Sequence, residues 1–518
     1  MKKIIGISLV IILVSYFLFL SKYLVIEEIA GLYLIPIIIV LTISSFLFFI
    51  RHTKTIKYKI FIFNSLSVAC ILQILIISLI LWSAASRYCT HEQVISDIDY
   101  AIKVMEETHP NLYANISKKD FYHKTDSIKK SLPEKVSNTE AYKTLGKIFS
   151  QIKDGHTGVG GNFFIQSNAL WGKIPPFKFV IKNDKLFVSK NYFYRNSIPI
   201  GSEILKINGK PIYQCLQEIC QLFSYENIHL RNATLQNPLI WGVWNDFTDF
   251  EITYKTSTTK TIKTIKSSGG IISKILSIIE NNSSSTNYNY KTISGNIGFI
   301  KFNSFTNLDK FKAFLVSTFR EIKNKGINNL IIDIRKNGGG NSSLGDELLQ
   351  FISKTDFRMY DSCLIKISNE LLTKESLKDI DSTKRKIGTI YNDSDTSKTK
   401  LRINPLKFNG QTYLLIGGNT FSSASDFAAA FQCYNIGKII GTETGGLQTC
   451  FGDIYIFELP NTKIEMSVSC KKWVNACGID NGRGVIPDYI IENSFEDDQK
   501  GIDRAMEFTI NLIKKSKK

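Results

Sequence analysis

The sequence predicts an α/β core that follows a membrane anchor of apolar helices, a small helical region and a β-rich module. Three observations support this prediction. Strand-like and helix-like segments alternate over residues 290–518, short segments of alternating polarity fill residues 165–267, and three charge-free apolar stretches dominate residues 1–86. A chain of 518 residues exceeds what one hydrophobic core usually organises, so several units are expected.

The predicted membrane anchor consists of the apolar stretches at residues 4–21, 29–50 and 60–86. Each stretch can cross a bilayer, which takes about 20 helical residues. Lys2 and Lys3 precede the first stretch, as they would in a cleaved signal peptide. No small-residue cleavage site follows it clearly, so a retained helix is favoured.

The orientation of the anchor follows from its loops. Four basic residues crowd the loop between the second and third stretches: Arg51, Lys54, Lys57 and Lys59. Cytoplasmic loops are the ones enriched in Lys and Arg, so this loop is expected inside and everything after Arg87 outside, in the extracytoplasmic or periplasmic space. Removal of the first stretch would not change this result.

The charge and the cysteine content of the chain limit its possible binding partners, disulfides and metal ligands. The formal net charge is +18, but the lysines are scattered and no nucleic-acid-binding motif occurs, so nucleic acid is not expected as a partner. An even number of cysteines in the predicted external part permits disulfides, although sequence does not give their pairing. No cysteine or histidine cluster has metal-ligand spacing, so no metal is expected. The eight cysteines are Cys89, Cys215, Cys220, Cys363, Cys433, Cys450, Cys470 and Cys477.

Residues 87–157 form the predicted helical region. Apolar residues recur every three or four positions at Val94, Ile98, Ile102 and Met105, and the pair His109-Pro110 ends that helix. A second helix is predicted over residues 140–152.

The β-rich module at residues 165–267 contains alternating segments such as residues 185–188 and 250–254. Within it, residues 201–212 read as a strand, an Asn208-Gly209 turn and a second apolar start. Any hairpin could show this pattern. The whole string also resembles the turn of PDZ-like domains, which bind an extended peptide as an added strand.

The core alternates strands and helices in an order that implies parallel strands with crossover helices. Residues 281–290 are expected to be a linker or a surface loop, and residues 354–409 an insertion that covers the site. Strands are predicted at 297–302, 330–334, 413–416 and 438–440, and helices at 308–325, 344–352 and 423–434.

Two loops follow core strands, where open α/β sheets bind ligands. Residues 333–340 (DIRKNGGG) place three glycines between a strand and a helix, which suits phosphate binding or an oxyanion hole. The Lys-Ser/Thr ending of a P-loop is missing, which argues against phosphate binding. In residues 417–426, Ser423 begins a helix. Such a serine is usually a helix cap, but a helix start also offers free N–H groups beside a nucleophile.

A serine nucleophile needs a base. Of the six histidines, His156 stands out because it lies in the glycine-flanked turn Asp154-Gly155-His156-Thr157-Gly158. A satisfied surface histidine is the competing interpretation. The contexts of His109, His123 and His229 offer no such indication.

The external region resembles the C-terminal processing, or tail-specific, serine protease family. The resemblance rests on DGHT at 154–157, the PDZ-like string, DIRKNGGG at 333–340, FSSASD at 421–426, GTETGG at 441–446 and GVIPD at 484–488, with HPNLY at 109–113. It implies a crotonase-like (ClpP-like) core, a PDZ-like peptide-binding module and cleavage near substrate C-termini, without metal or organic cofactor.

The family has two catalytic styles. The bacterial tail-specific branch uses a lysine about 25 residues after the serine, where this chain has Gln448, whereas the tricorn-core branch uses an upstream histidine that His156 matches. The resemblance therefore implies Ser423 as nucleophile and His156 as base, with the amides of Gly339 and Ala424 as the oxyanion hole. The tricorn-core branch also has a glutamate at the position that Asn481 occupies in this chain. The neighbouring Asp480 is therefore the candidate to orient His156.

Two other functions remain open at this point. A catalytically silent protein could use the same module and cleft to bind peptides, for recognition or signalling. A crotonase-like acyl-CoA enzyme would share the core fold, although the predicted export and the PDZ-like string argue against it.

Overall fold

The computed structural model describes the parts of the chain that carry the predicted enzyme. The three apolar stretches of the predicted anchor lie outside the described parts. Among the helices of the described parts, none has the length and apolar character to cross a bilayer. The described residues are 88–160, 174–192, 197–244, 249–267, 287–294, 296–372, 385–393 and 397–515.

The two helices predicted for the helical region form, and a third helix at Lys118–Lys130 lies between them. Its first helix begins at a capping box, in which Thr90 and Gln93 satisfy each other's backbone amides, and it ends at Thr108, with His109 as the C-cap. Its elements are β1 (Tyr88–Thr90), α1 (His91–Thr108), α2 (Lys118–Lys130), β2 (Lys135–Ser137), α3 (Asn138–Phe149), a 3₁₀ turn (Ser150–Ile152) and β3 (Gly158–Val159).

The β-rich module is an antiparallel sheet with the strand order β4-β5-β6-β8-β9, and β7 pairs with β6. The predicted turn joins β6 to β7, with positive φ at Asn208 (49°) and Gly209 (76°). The elements are β4 (Phe177–Lys182), β5 (Lys185–Asn191), β6 (Glu203–Ile207), β7 (Lys210–Pro211), α4 (Ile212–Cys220), α5 (Ile228–Leu235), α6 (Pro238–Trp244), β8 (Phe250–Lys255) and β9 (Ile262–Ser267).

The rest of the described chain builds the core. Its first half contains β10 (Tyr288–Ser294), β11 (Ile297–Phe302), α7 (Leu308–Asn324), β12 (Asn329–Asp333), α8 (Ser343–Ile352), β13 (Tyr360–Lys366), a 3₁₀ turn (Asn369–Leu371) and β14 (Ile390–Asp393). Its second half contains β15 (Gln411–Ile416), α9 (Ser423–Cys433), β16 (Gly437–Gly441), β17 (Cys450–Glu458), β18 (Glu465–Asn475), β19 (Tyr489–Ile490), α10 (Phe495–Lys500) and α11 (Arg504–Lys515).

The main sheet has the strand order β10-β11-β12-β15-β16-β19, and its strands are parallel except for β10. Successive side chains of β12 alternate between two apolar layers, with Leu330 and Ile332 on one side and Ile331 on the other. Because β12 and β15 are parallel neighbours, their carboxyl ends meet at one edge. The glycine loop (residues 334–342) and the serine loop (residues 417–422) therefore lie side by side, as predicted.

A second sheet, in the order β14-β13-β18-β17, differs from the prediction. The segment taken as an insertion supplies β13 and β14, and in β13 the buried residues Cys363 and Ile365 alternate with half-buried neighbours, as in a strand. The end of the predicted linker likewise forms β10. The short β3 pairs with β18, where Val159 faces Met466. This pairing fixes the chain immediately after His156 to the core.

Among the described residues one disulfide, Cys433–Cys477, is formed. It joins the C-terminal end of α9 to the loop after β18, and α9 is the helix that begins with Ser423. Both ends of this helix are thus held by contacts distant in sequence.

Candidate active site

Ser423 is the first residue of α9, and its side chain is almost completely buried. The residue before it, Ser422, has φ of 54° and ψ of −135°, a conformation that is costly for a residue other than glycine. Backbone strain of this kind persists only where surrounding contacts impose it, and it often marks a functional turn. The Ser423 hydroxyl donates to the carbonyl oxygen of Gly340 at 2.6 Å.

The glycine loop is tied to the serine loop by hydrogen bonds. Asn337 is buried, and its side-chain Nδ2 donates to Phe302 O at 2.9 Å. Its backbone carbonyl oxygen accepts the Phe421 amide at 3.0 Å. Gly339 has φ of 94°, and a Cβ there would lie 2.8 Å from Phe421 O and 2.9 Å from Ser423 N. Only glycine permits this approach, so the predicted proximity of Gly339 to Ser423 is observed.

The two amides predicted to form the oxyanion hole both have acceptors inside the protein. The N–H of Gly339 donates to Asn337 Oδ1 at 2.9 Å, and the N–H of Ala424 donates to Phe421 O at 3.2 Å. A substrate oxyanion would have to replace or share these acceptors. The oxyanion-hole assignment therefore stays a prediction.

His156 lies in a turn of residues 154–157, here named the His156 turn, which the Thr157 amide closes by donating to Asp154 O at 3.0 Å. Its ring stacks on the ring of Phe421, with centroids 4.6 Å apart and an interplanar angle of 24°. Phe421 is two residues before Ser423. The structure thus brings the predicted nucleophile and base to one site, but the hydrogen-bond partner of the Ser423 hydroxyl is Gly340 and not His156.

Asp154 is the buried anchor of the His156 turn. Its Oδ2 accepts hydrogen bonds from His109 Nε2 at 3.2 Å, Thr157 Oγ1 at 2.5 Å and Ser469 Oγ at 2.6 Å. Its Oδ1 accepts the His156 amide at 3.0 Å and lies 3.8 Å from His156 Nδ1. Burial opposes ionisation of Asp154, yet its histidine neighbours outweigh that cost and hold its pKa well below the usual range.

Three acidic side chains act on the imidazole of His156. Burial alone would lower its pKa, but the carboxylates of Asp154, Glu226 and Asp426 together raise it above the ordinary value. Its Nδ1 is buried without a hydrogen-bond partner. A small rotation of the ring toward Asp154 would supply one, because 3.8 Å is too long for a hydrogen bond but compatible with an ion pair.

Asp426 lies one turn after Ser423 on α9 and is also buried. It accepts a hydrogen bond from the Tyr360 hydroxyl at 2.9 Å, and the thiol of Cys450 lies 3.8 Å from its other oxygen. Burial raises the pKa of Asp426 to about 7. A partly protonated carboxyl is therefore held beneath the candidate nucleophile near neutral pH.

Two further sequence expectations have different outcomes. Asp480 is half exposed and forms an ion pair with Lys472 at 2.7 Å, whereas Asp154, Glu226 and Asp426 are the carboxylates that act on His156. The carboxylates near His156 are thus other ones, and the orienting role of Asp480 stays a prediction. Gln448, which stands where the lysine branch has its base, is buried and donates from Nε2 to Gly484 O at 3.3 Å.

Sequence reasoning missed the residues around Asp154. His109 seemed to offer no functional indication, and Ser469 reaches the site from β18, 315 positions after Asp154. The one available indication was Asp154 itself, two residues before His156 in the same motif.

Among the described residues, Asp154, His156 and Glu226 form the one group whose oxygen and nitrogen atoms converge as metal ligands do, within 4.8 Å of one another. Asp154 already accepts hydrogen bonds on both carboxylate oxygens. This donor set fits a histidine held between carboxylates better than a cation site.

The site has a buried serine at a helix start, a glycine loop packed against it, and a histidine that stacks on Phe421 and lies 3.8 Å from a carboxylate. Together with the family comparison, these features define the class of the protein: it is a serine peptidase. The family comparison agrees with this class. Residues 296–491, less than half of the chain, match the model of Peptidase family S41.

Solved structures share the fold. Mature CPAF matches with a TM-score of 0.59 and 14% identity over 79% of this chain and 94% of its own. CPAF complexed with lactacystin matches with a TM-score of 0.59 and 13% identity over 82% of this chain and 98% of its own. The photosystem II D1 C-terminal processing protease gives 0.40 and 14% over 80% and 98%, which is too low a score to support an argument. At these identities the likeness shows the fold alone. No curated protein matches the sequence significantly.

Proposed function

We propose that this serine peptidase cleaves extracytoplasmic proteins or peptides, near their C-termini, with Ser423 as the nucleophile and His156 as the base, in the manner of the histidine-dependent tricorn-core branch. The observation that carries the proposal is the stacking of His156 on Phe421, two residues from the buried Ser423 hydroxyl. Asp154 supplies the charge that favours the imidazolium formed during the reaction.

In the proposed reaction the Ser423 oxygen bonds to the scissile carbonyl carbon while its proton passes to His156. The leaving amine then takes that proton, and water hydrolyses the acyl-enzyme. The Ser423 hydroxyl must first rotate away from Gly340 O, because that carbonyl holds its hydrogen in the present structure. Peptide binding beside the glycine loop is the event that we expect to drive this rotation.

The substrate is proposed to bind as an extended strand on the β-rich module, acting as a PDZ-like domain. Its sheet has edge strands β4 and β9, which offer backbone groups to an added strand. Residues 1–86 are proposed to anchor the enzyme in the cell or inner membrane with residues after Arg87 outside. The disulfide Cys433–Cys477 is compatible with that oxidising side.

The test is cleavage of fluorescently labelled casein by the purified full-length chain, followed by mass mapping of the products. We expect fragments from the wild type and none from Ser423→Ala. A folded wild type that binds peptides without cleaving them would replace the enzyme with a silent peptide-binding protein on the same fold.

A further inference from the structure

Glu226 belongs to the β-rich module but reaches the candidate base. It lies in the loop between α4 and α5, where its Oε2 accepts the Leu447 amide at 3.1 Å, and its carboxylate also accepts the amide of Gly155. Gly155 lies in the His156 turn and Leu447 lies in the loop that precedes β17. One carboxylate therefore connects three segments that are far apart in sequence.

The loop that carries Glu226 is itself firmly placed. The neighbouring Asn227 caps α5 by accepting the amides of His229 and Leu230, and it donates from Nδ2 to Thr444 O at 3.0 Å. The loop is thus fixed to the module on one side and to the core on the other. A side chain on such a support is held in one orientation, which is what a positioning role requires.

The charges that face His156 come from three elements: Asp154 in its own turn, Glu226 in the module and Asp426 on α9. Asp154 is held ionised by its donors, and Asp426 is bound to Tyr360. Burial raises the pKa of Glu226 to about 7. Glu226 and Asp426 can therefore both change charge around neutral pH, and Glu226 is the one whose carboxylate lies within 4.8 Å of side-chain atoms of both Asp154 and His156.

We propose that Glu226 is a positioning residue for the peptidase reaction: its carboxylate binds the module to the His156 turn and, with Asp154, holds and polarises the His156 imidazole. This inference rests on the proposed function of Ser423 and His156. It makes the β-rich module part of the catalytic machinery as well as a platform for substrate. A site whose base depends on a module residue is complete only when the module is docked on the core.

The test replaces Glu226 by glutamine, which keeps an oxygen that can accept the Leu447 amide but removes the charge. The His156 pKa is measured by NMR in [13Cε1]histidine-labelled full-length protein carrying Ser423→Ala, with the resonance assigned by its loss in His156→Ala. We expect Glu226→Gln to lower the His156 pKa by about one unit, since a carboxylate within this distance typically shifts a histidine by that much or more. Glu226→Asp, which keeps the charge, should retain at least about half of the shift.

Kinetics with Ser423 intact provide the second readout. Glu226→Gln should lower kcat about 10-fold and leave KM within about two-fold, because the base is affected and the substrate contacts are not. The acid limb of the pH profile should move down with the His156 pKa. Glu251→Gln is the matched control, since Glu251 is half-buried on β8 of the same module, pairs with Lys266 and should leave both readouts at wild-type values.

An unchanged His156 pKa and unchanged kcat in folded Glu226→Gln would overturn the inference. Failure of the proposed function looks different: wild type and Ser423→Ala would then show the same turnover, while the NMR titration would still report whether Glu226 acts on His156. Thermal unfolding of each variant shows that it is folded before either result is used.

Discussion

His109 donates the hydrogen on Nε2 to Oδ2 of Asp154, 3.2 Å away in the interior. The amide of Asn111 donates to Nδ1 of the same ring at 3.0 Å, so Nε2 carries the donated hydrogen. Asp154 in turn faces His156 at 3.8 Å. A buried line of two histidines and one carboxylate therefore runs from the end of α1 to the candidate base.

Replacement of Asp154 by asparagine should destabilise the protein and weaken the base. Several donors lose a charged acceptor, and each such bond is worth about 1.5–3 kcal/mol, so we expect the free energy of unfolding to fall by at least about 2 kcal/mol. Urea unfolding measures this loss. Because the pKa of Asp154 is depressed in the fold, its contribution is present above about pH 4 and is lost as pH falls below that value. The wild type and the variant should therefore converge in acid, and a difference that persists there would contradict this account.

The pH dependence of turnover should report His156. The neutral imidazole is the base, and its pKa is raised above 6.5, so kcat/KM should rise with pH through a midpoint above about 6.5. The stability contribution of His156 has the opposite direction: it is complete below about 6.5 and is lost as pH rises through the higher folded pKa. Initial rates from pH 5 to 9 give the midpoint. An acid limb that ends below pH 6 would mean that the surrounding carboxylates do not act on this histidine.

Gly339 and Gly338 form a matched pair within the glycine loop. Gly339→Ala should reduce turnover about 100-fold, because the new Cβ would collide with Phe421 O and the Ser423 amide at a positive φ. Gly338→Ala should remain close to wild type, since no atom lies within 4 Å of its added Cβ. Cleavage of labelled casein compares the two variants. Equal losses would show that the loop does not approach Ser423 as described.

Asp480→Asn should have little effect. Asp480 is about half exposed and pairs with Lys472 at the surface, and such pairs contribute less than about 1 kcal/mol. We expect the same pH profile and unfolding midpoint as in the wild type. A 10-fold loss of kcat would restore Asp480 as the residue that orients His156.

The sequence was sufficient to predict the elements that a local pattern of apolar residues determines. The predicted strands over residues 297–302 and 413–416 match β11 and β15 within two residues, because buried parallel strands are short apolar runs between helices. Their parallel pairing then placed the glycine and serine loops together. The candidate nucleophile and the candidate base could be predicted because each lies in a short motif with a chemical reason.

The remaining parts depend on contacts between distant segments. Ser469 and Glu226 reach the His156 turn from β18 and from the module, and no local pattern marks either residue. Asp480 was chosen because it stands beside a family motif, but the chain turns it outward to Lys472. The second sheet was missed for a similar reason, since one partner of β13 is β18, a strand far along the chain, as in the pairing of Leu364 with Lys472.

The most direct test of the central claim is the rate at which a fluorophosphonate probe labels Ser423 in the purified full-length chain. The account predicts stoichiometric labelling of the wild type, none in Ser423→Ala, and a rate about 10²–10⁴-fold lower in His156→Ala. Labelling that proceeds equally fast without His156, or its absence from the folded wild type, would contradict the pairing of this serine with this histidine.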